Sequence, residues 1–292
     1  GMEACASAHH WAREIARLGH DVRLLPPAYV KPYVRRSKND AADAAAICEA
    51  VTRPSMRFVP VKTIDQQSML MVHRTRDLLI RQRTAAINAL RAHLSELGLI
   101  AARGNEGAAR LMSLVRDGAP QLPALARDAL LSLVAQLDAI PSQISILDRQ
   151  LRAQLKASKT CRLLETIPGI GVIAATALAA KITDPDAFRS GRDLAAWIGL
   201  VPRQHSSGGK ERFGRISKQG DRDLRRMLVV GASAVLRHAR AHPEKHPWLM
   251  RLLARRPAKV AIIALANKMA RIAWALLKSG EPYRAPAHVA AA

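Results

Sequence analysis

The chain has 292 residues, 49% of them apolar, so it can bury a real core in one to three domains and is not an unfolded tail. Aromatics make up only 3%, and the alanine- and leucine-rich remainder favours packed helices over a β-sandwich. Forty-six Lys and Arg face 23 Asp and Glu, a net charge of +23, which points to nucleic acid ahead of a generic basic or membrane-binding surface.

The three cysteines, Cys5, Cys48 and Cys161, form no CxxC pair, and no Cys/His cluster has zinc spacing. A disulfide scaffold is therefore not expected, and a reducing cytoplasm fits. No apolar run reaches the roughly 18 residues of a membrane span, and no signal peptide is read at the start. The opening Gly1 to Cys5 reads as the end of a strand feeding a helix, so the chain is expected to begin inside a domain.

An amphipathic helix is expected over residues 3 to about 18, with Ile15 and Leu18 on its apolar side and Gly19 as C-cap. A short strand follows over 21–25 and a basic loop over 29–37. The next helix, 38–51, has Asn39 as a plausible N-cap and holds Asp40 and Asp43 in its first turn. Positions i and i+3 share a helix face, so the two carboxylates can address one metal ion. The alternative is an ordinary capped surface helix whose acids favour the dipole. Pro54 ends the helix, and residues 57–61 form another extended piece. Strand, helix, strand, helix within some 60 residues is an α/β pattern too short for a complete sheet.

Residues 64–99 carry one long helical pattern studded with arginines, and 123–157 carry a second, with a kink expected at Pro141. Gly104 and Gly107 mark the turn between them. The pair reads as an antiparallel coiled-coil arm that spaces or pairs domains. Residues 163–175 then read as a helix, a tight Pro-Gly-Ile-Gly turn and a second helix. Gly169 and Gly171 let backbone N–H groups approach a phosphate, as in a DNA-binding helix-hairpin-helix. The competing reading is a glycine-containing corner of the core.

A helix over 188–198 leads into residues 199–221, where five glycines and a run of cations cluster. Ser206 and Ser207 precede Gly208 and Gly209, flanked by Arg203, Lys210, Arg212, Arg215 and Lys218. A hydroxyl in that field can attack a phosphodiester while the cations stabilise the transition state. A flexible basic loop that only grips backbone fits equally well. His205 is a candidate base, or merely a phosphate contact. Helices are expected over 221–241, 250–256 and 260–277, the last with an apolar face of Val260, Ile263, Leu265, Met269, Ile272, Leu276 and Leu277. A disordered tail is expected from 281.

Glu3-Ala4-Cys5, the 38–44 segment, Ile167-Pro168-Gly169-Ile170-Gly171, and the 199–218 segment occur in this order, and together they resemble a DEDD-type insertion-sequence transposase of the one-ten and eleven-eleven group. The resemblance covers nearly the whole chain. It implies a mainly α protein with a partial α/β N-terminal part. The parts are a RuvC-like (ribonuclease-H-like) domain lacking its first strands over 1–62, the coiled-coil arm over 63–158, a helical transposase domain with the helix-hairpin-helix over 159–280, and the tail over 281–292. It further implies DNA cleavage and strand transfer in a bacterial, nucleoid-associated setting. Glu3, Asp40 and Asp43 match three of four acids that hold divalent metal, Mg²⁺. The reactive serine falls at Ser206 or Ser207, with Ser206 slightly preferred. A homo-oligomer, dimer or tetramer, and a guide RNA from the element are also implied. The family's first Asp has no counterpart after Gly1, so this chain taken literally is expected to have little or no recombinase activity. The rival readings are a non-catalytic nucleic-acid-binding protein and a Holliday-junction nuclease, which would not need the Ser-Gly-Gly loop.

Overall fold

A computed structural model describes residues 1–34 and 39–285, and the protein is mainly helical. It opens on a β-α-β unit. β1 (Met2–Glu3) pairs in parallel with β2 (Leu24–Leu25), and α1 (Ala8–Arg17) makes the crossover. Side chains alternate along a strand, and β2 uses both faces. Leu24 is buried with Ala8 and Ala12 of α1, while Leu25 is buried with Val30, Ala46 and Ala50. Val59 adds an antiparallel bridge by donating its N–H to the Leu24 carbonyl at 2.7 Å.

The first helix starts at Ala8 rather than at residue 3, because Glu3 is committed to the strand. The expected strand over 21–25 shrinks to two residues. The expected basic loop is partly helical, with α2 (Pro27–Val30) followed by a 3-10 turn, Lys31–Tyr33, each opened by a proline whose φ is preset. Arg35, Arg36, Ser37 and Lys38 lie outside the described residues. α3 (Asp40–Val51) begins as read, and the Asn39 side chain accepts the Ala42 N–H at 2.7 Å.

α4 (Ile64–Ser95) is opened by a capping box between Thr63 and Gln66. It runs against α6 (Ala124–Ala157), which continues unbroken through Pro141, so the expected kink interrupts no turn. Between them lies α5 (Asn105–Asp117), which the two-helix reading missed. Leu111, Met112 and Val115 recur at helical spacing and pack in one cluster with Leu90, Leu94, Leu130 and Val134. Gly104, at φ 102°, is the actual break, whereas Gly107 sits inside α5.

Helices α7 (Lys159–Glu165), α8 (Val172–Lys181), α9 (Gly191–Ile198), α10 (Arg222–Ala241) and α12 (Ala258–Ser279) enclose the largest core, and α11 (Pro247–Leu253) packs in a smaller cluster with Leu236, Ala239 and Ala261. α8 is central, and its Ala175, Ala177 and Leu178 have no exposed surface. On α12 the fully packed line is Ala261, Ala266, Met269, Ala270 and Ala273, while Val260 and Ile263 face outward toward a groove. Small residues let helix axes approach closely. α9 starts at Gly191, capped by Ser190, and not at residue 188. α6 and α12 are long and apolar enough, by length and composition, to cross a membrane. Each has a protein-packed side, on α4 and in the C-terminal core respectively. Of the expected tail, Tyr283 packs on this core and donates its N–H to Thr166 Oγ1 at 3.0 Å, while residues 286–292 lie outside the described residues.

Specific polar contacts tie the parts together. Arg57 makes a forked ion pair with Asp193 of α9 at 2.9 and 3.1 Å. Arg76 of α4 bonds Asp148 of α6, and Asp77 receives Arg226 of α10. His73 of α4 is buried against Thr176 of α8 at 3.0 Å. The Thr176 hydroxyl donates to the Val172 carbonyl, so its oxygen accepts from His73 Nε2–H.

Candidate nucleic-acid interface

The segment expected to be a loop is a β-hairpin. β3 (Pro202–Gln204) pairs antiparallel with β4 (Phe213–Ile216), and a bridge between Ser207 and Lys210 closes the tip. Gly208 and Gly209 have φ of 56° and 74°, the two consecutive positive values that a tight hairpin turn of this hand needs. The sequence could not show this because the strands carry no alternating apolar face. Residues 202–215 are all exposed.

The root, by contrast, is fixed. Ser217 N–H bonds the Val201 carbonyl at 2.8 Å, and Arg225 reaches back to the carbonyls of Ile198 and Gln219 at 2.8 and 3.1 Å. A Cβ at Gly199 would stand 2.1 Å from Gln219 O, and one at Gly220 would stand 1.7 Å from Trp197 O, so only glycine fits either place. Asp221 then caps α10 by accepting the N–H groups of Asp223 and Leu224, and it pairs with Lys181 at 2.7 Å.

The two hydroxyls differ. Ser206 Oγ accepts the Arg212 N–H across the hairpin at 3.1 Å. Ser207 holds the first turn position, its carbonyl accepting the Lys210 N–H at 3.1 Å. The His205 ring lies over Gly214, at 3.2 Å from where a Cβ would be. Arg203 spends one N–H on the Ser217 carbonyl. Among the described residues, Arg203, Lys210, Arg212, Arg215 and Lys218 form no ion pair.

Between the hairpin, α9, α10 and α12 runs an open groove of about 1700 Å³. Its floor is apolar, with Val229, Val260 and Ile263, and Trp248 stands at its side under the Lys268 ammonium at 4.5 Å. Arg192, Arg215, Lys218, Lys259, Lys268 and Arg271 line it, and among the described residues no acid does. Four of these six cations were missed in the sequence. The available signal was Lys259 and Arg271 at multiples of four on α12, opposite its alanine line.

The Gly169 and Gly171 turn splits its two expected roles. Gly169 is a packing glycine at φ 87°, half-buried and set close against Gly231 and Met269. Gly171 N-caps α8 with open space beside it, and a second groove there includes Val172, Ile173 and Ala174. Its cations are already engaged, Arg76 with Asp148 and Arg226 with Asp77. Burial pushes the pKa of His73, on the same wall, down to about 4, so it adds no charge at neutral pH.

Asp40 and Asp43 lie together in the first turn of α3, Asp40 exposed and Asp43 half-buried. A Cβ at Gly1 would stand 3.0 Å from Ile47 and Val51, which continue the Asp43 stripe at intervals of four. Glu3, two residues on, ends β1. Among the described residues no three His, Cys, Asp or Glu side chains are gathered closely enough to hold a metal ion as they stand.

The family model described as Transposase IS116/IS110/IS902 family matches residues 161–247, which contain the hairpin and the Gly169 turn. A DEDD transposase model of the IS110 type matches residues 1–98, which contain Glu3, Asp40 and Asp43. A probable family 20 transposase of Pseudomonas aeruginosa is 49% identical over 97% of this chain and 85% of its own length. The chain belongs to the IS110-type family of insertion-sequence transposases. Within that family, a putative transposase of Sinorhizobium fredii is 48% identical over 97% of this chain and 73% of its own. The transposase for insertion sequence element IS1111A of Coxiella burnetii is 42% identical over 97% and 78% respectively. The two family models leave unmatched residues 99–160, the span that holds α5 and α6, and residues 248–292.

Proposed function

We propose that this chain binds DNA along the hairpin and its groove, and that a hairpin serine cleaves and rejoins phosphodiesters during transposition of an insertion sequence. The observation that carries the reading is the hairpin itself: two adjacent hydroxyls at an exposed tip, a root that admits only glycine, and a fringe of unpaired cations. In the cleavage step a bond forms from serine Oγ to phosphorus as the bond from phosphorus to a deoxyribose oxygen breaks. The hydroxyl proton leaves to water or His205, and the departing oxygen takes up a proton. The Arg212 N–H already points at Ser206 Oγ and stabilises negative charge growing there, which favours Ser206 over Ser207. Lys210, Arg212 and Arg215 offset the charge of the transition state.

Glu3, Asp40 and Asp43 provide the all-oxygen donor set that suits Mg²⁺, which keeps several waters and needs few protein ligands. When bound there, Mg²⁺ supplies Lewis-acid polarisation of a phosphoryl oxygen. The domain reading is a RuvC-like part over 1–62, an arm over 63–158 and a transposase part over 159–280, with α7, the Gly169 turn and α8 as a helix-hairpin-helix. By resemblance it works as a dimer or tetramer with an RNA guide from its element.

The test is covalent capture. Ser206→Ala, Ser207→Ala and the double variant are incubated with nicked element-end DNA, and protein–DNA adducts are counted after denaturation. Loss of the adduct in Ser206→Ala alone supports the assignment. Adducts that survive the double substitution sink it, and DNA binding without any adduct in the parent chain leaves the binding-only protein as the better reading.

A further inference from the structure

Three of the ten histidines meet where α10 hands over to α11, far in sequence from the acids and the serines. His238 and His242 are four apart, on one face of the helix end. A 3-10 turn, Pro243–Lys245, folds the chain back, held by the His246 N–H on the Pro243 carbonyl at 3.1 Å, and brings His246 to the same spot. The rings of His238 and His242 have centroids 4.6 Å apart, and those of His238 and His246 stand 5.5 Å apart, almost perpendicular. His238 Nδ1 and His246 Nε2 approach to 3.2 Å.

That separation has two chemical readings. Two neutral imidazoles can share one N–H···N hydrogen bond at this distance. Two nitrogens bound to one tetrahedral ion, each about 2.05 Å from it, lie roughly 3.3 Å apart. A core hydrogen bond would bury the pair, yet His238 is exposed and His246 half-exposed. The Glu244 carboxylate lies 3.8 Å from His242 Nδ1, near enough to orient that ring once it is a ligand.

We propose that His238, His242 and His246 form a binding site for a divalent transition-metal ion of the zinc class. His238 Nδ1 and His246 Nε2 are the first two ligands. His242 joins by a side-chain rotation, since the three nitrogens do not yet converge. An imidazole set selects borderline d-block ions and discriminates against Mg²⁺, so this site is chemically distinct from the carboxylates of the N-terminal part. Its place gives it a consequence. The metal would pin the end of α10 to the start of α11, two residues before Trp248, which stands beside the cationic groove. The site would thereby order one wall of the proposed DNA-binding surface without touching DNA.

The experiment is zinc titration of the full chain, free of any affinity tag, by calorimetry with millimolar Mg²⁺ present throughout. Co²⁺ then serves as a visible-absorption probe. One zinc per chain is expected, with a rise in Tm that Mg²⁺ alone does not produce. The double variant His238→Gln, His246→Gln should weaken zinc at least about tenfold, as removal of two ligands requires. His242→Gln should reduce the Co²⁺ band while leaving weaker binding, and His20→Gln, at an exposed site elsewhere, should change nothing. A double variant that binds zinc like the parent overturns the proposal, as does a folded parent chain that shows no heat with millimolar zinc. Because the Co²⁺ spectrum of the unaltered chain reports its nitrogen ligands directly, a variant that fails to fold does not blunt the test.

Discussion

Gly231 of α10 faces the backbone of Gly169 so closely that a Cβ at 231 would stand 2.0 Å from the Gly169 carbonyl oxygen. The approach brings α10 onto the turn between α7 and α8. Overpacking of this kind costs about 1–3 kcal/mol, and here the obstacle is backbone, so the upper end is expected for Gly231→Ala. Urea unfolding reads it as a lower midpoint. Gly208→Ala is the control, because its positive φ is strained but its surroundings are open, and it should cost no more than about 1 kcal/mol. Equal midpoints for the two variants would refute the packing role.

Asp221 combines two duties, capping α10 and pairing with Lys181, and both groups of the pair are about four-fifths buried. Asp221→Ala removes a cap worth about 1 kcal/mol and leaves the Lys181 ammonium only the longer contact to Asp223, at 3.7 Å. A total near 3 kcal/mol is expected, with Asp221→Asn milder because its side-chain oxygen can still cap. Thermal unfolding of the two variants separates the terms. If both lose the same amount, the ion pair carries the stability and the cap carries none.

His73 gives the stability a pH dependence. Burial, then the nearby Lys181, lowers its pKa in the folded protein from 6.5 to about 4. Between those values the unfolded chain binds a proton that the folded chain refuses. Stability is therefore complete above about pH 6.5, falls as pH drops toward 4, and levels off below. The loss from this one group amounts to at most about 3 kcal/mol. His9, also lowered to about 4 by burial and by Lys62, contributes in the same direction. Unfolding free energies across pH 4–7 should show the slope, and His73→Gln should flatten part of it. An unchanged slope would mean that His73 is protonated in the fold.

The unpaired cations set the salt response. DNA affinity should fall steeply with salt, and each phosphate contact removed should lower the slope of log K against log salt by about 0.9. Lys259→Ala with Arg271→Ala should lower it by roughly two such steps if the groove carries backbone, while Arg76→Ala, whose partner is Asp148, should leave it alone. A slope unaffected by the groove pair would move the interface elsewhere.

Much of the fold was legible. Asn39 announced α3 by its chemistry, and the long leucine patterns announced α4 and α6. α5 was missed because Gly104 and Gly107 look alike as letters, although only one of them has a positive φ. The hairpin was hidden because its pairing is held by backbone bonds and turn glycines, with no apolar face to betray a period of two. On α12 the eye falls on Val260 and Ile263, yet the axis packs through its alanines, since small size and not hydrophobicity sets how closely helices approach. The acids and the serines were read as residue types at a spacing. The cations that accompany the serines come from the hairpin and from two helices, α9 and α12, and only folding brings them together.

The hairpin tip contributes nothing to any apolar cluster, while its root is locked by Gly199, Gly220 and Arg225. Folding and chemistry are therefore written in separate letters here. Residues 204–212 can be exchanged wholesale with little penalty in stability, so a library confined to that stretch would be sorted by reactivity and recognition alone. The same fixed base, carrying a different tip, offers a ready mount for another reactive side chain.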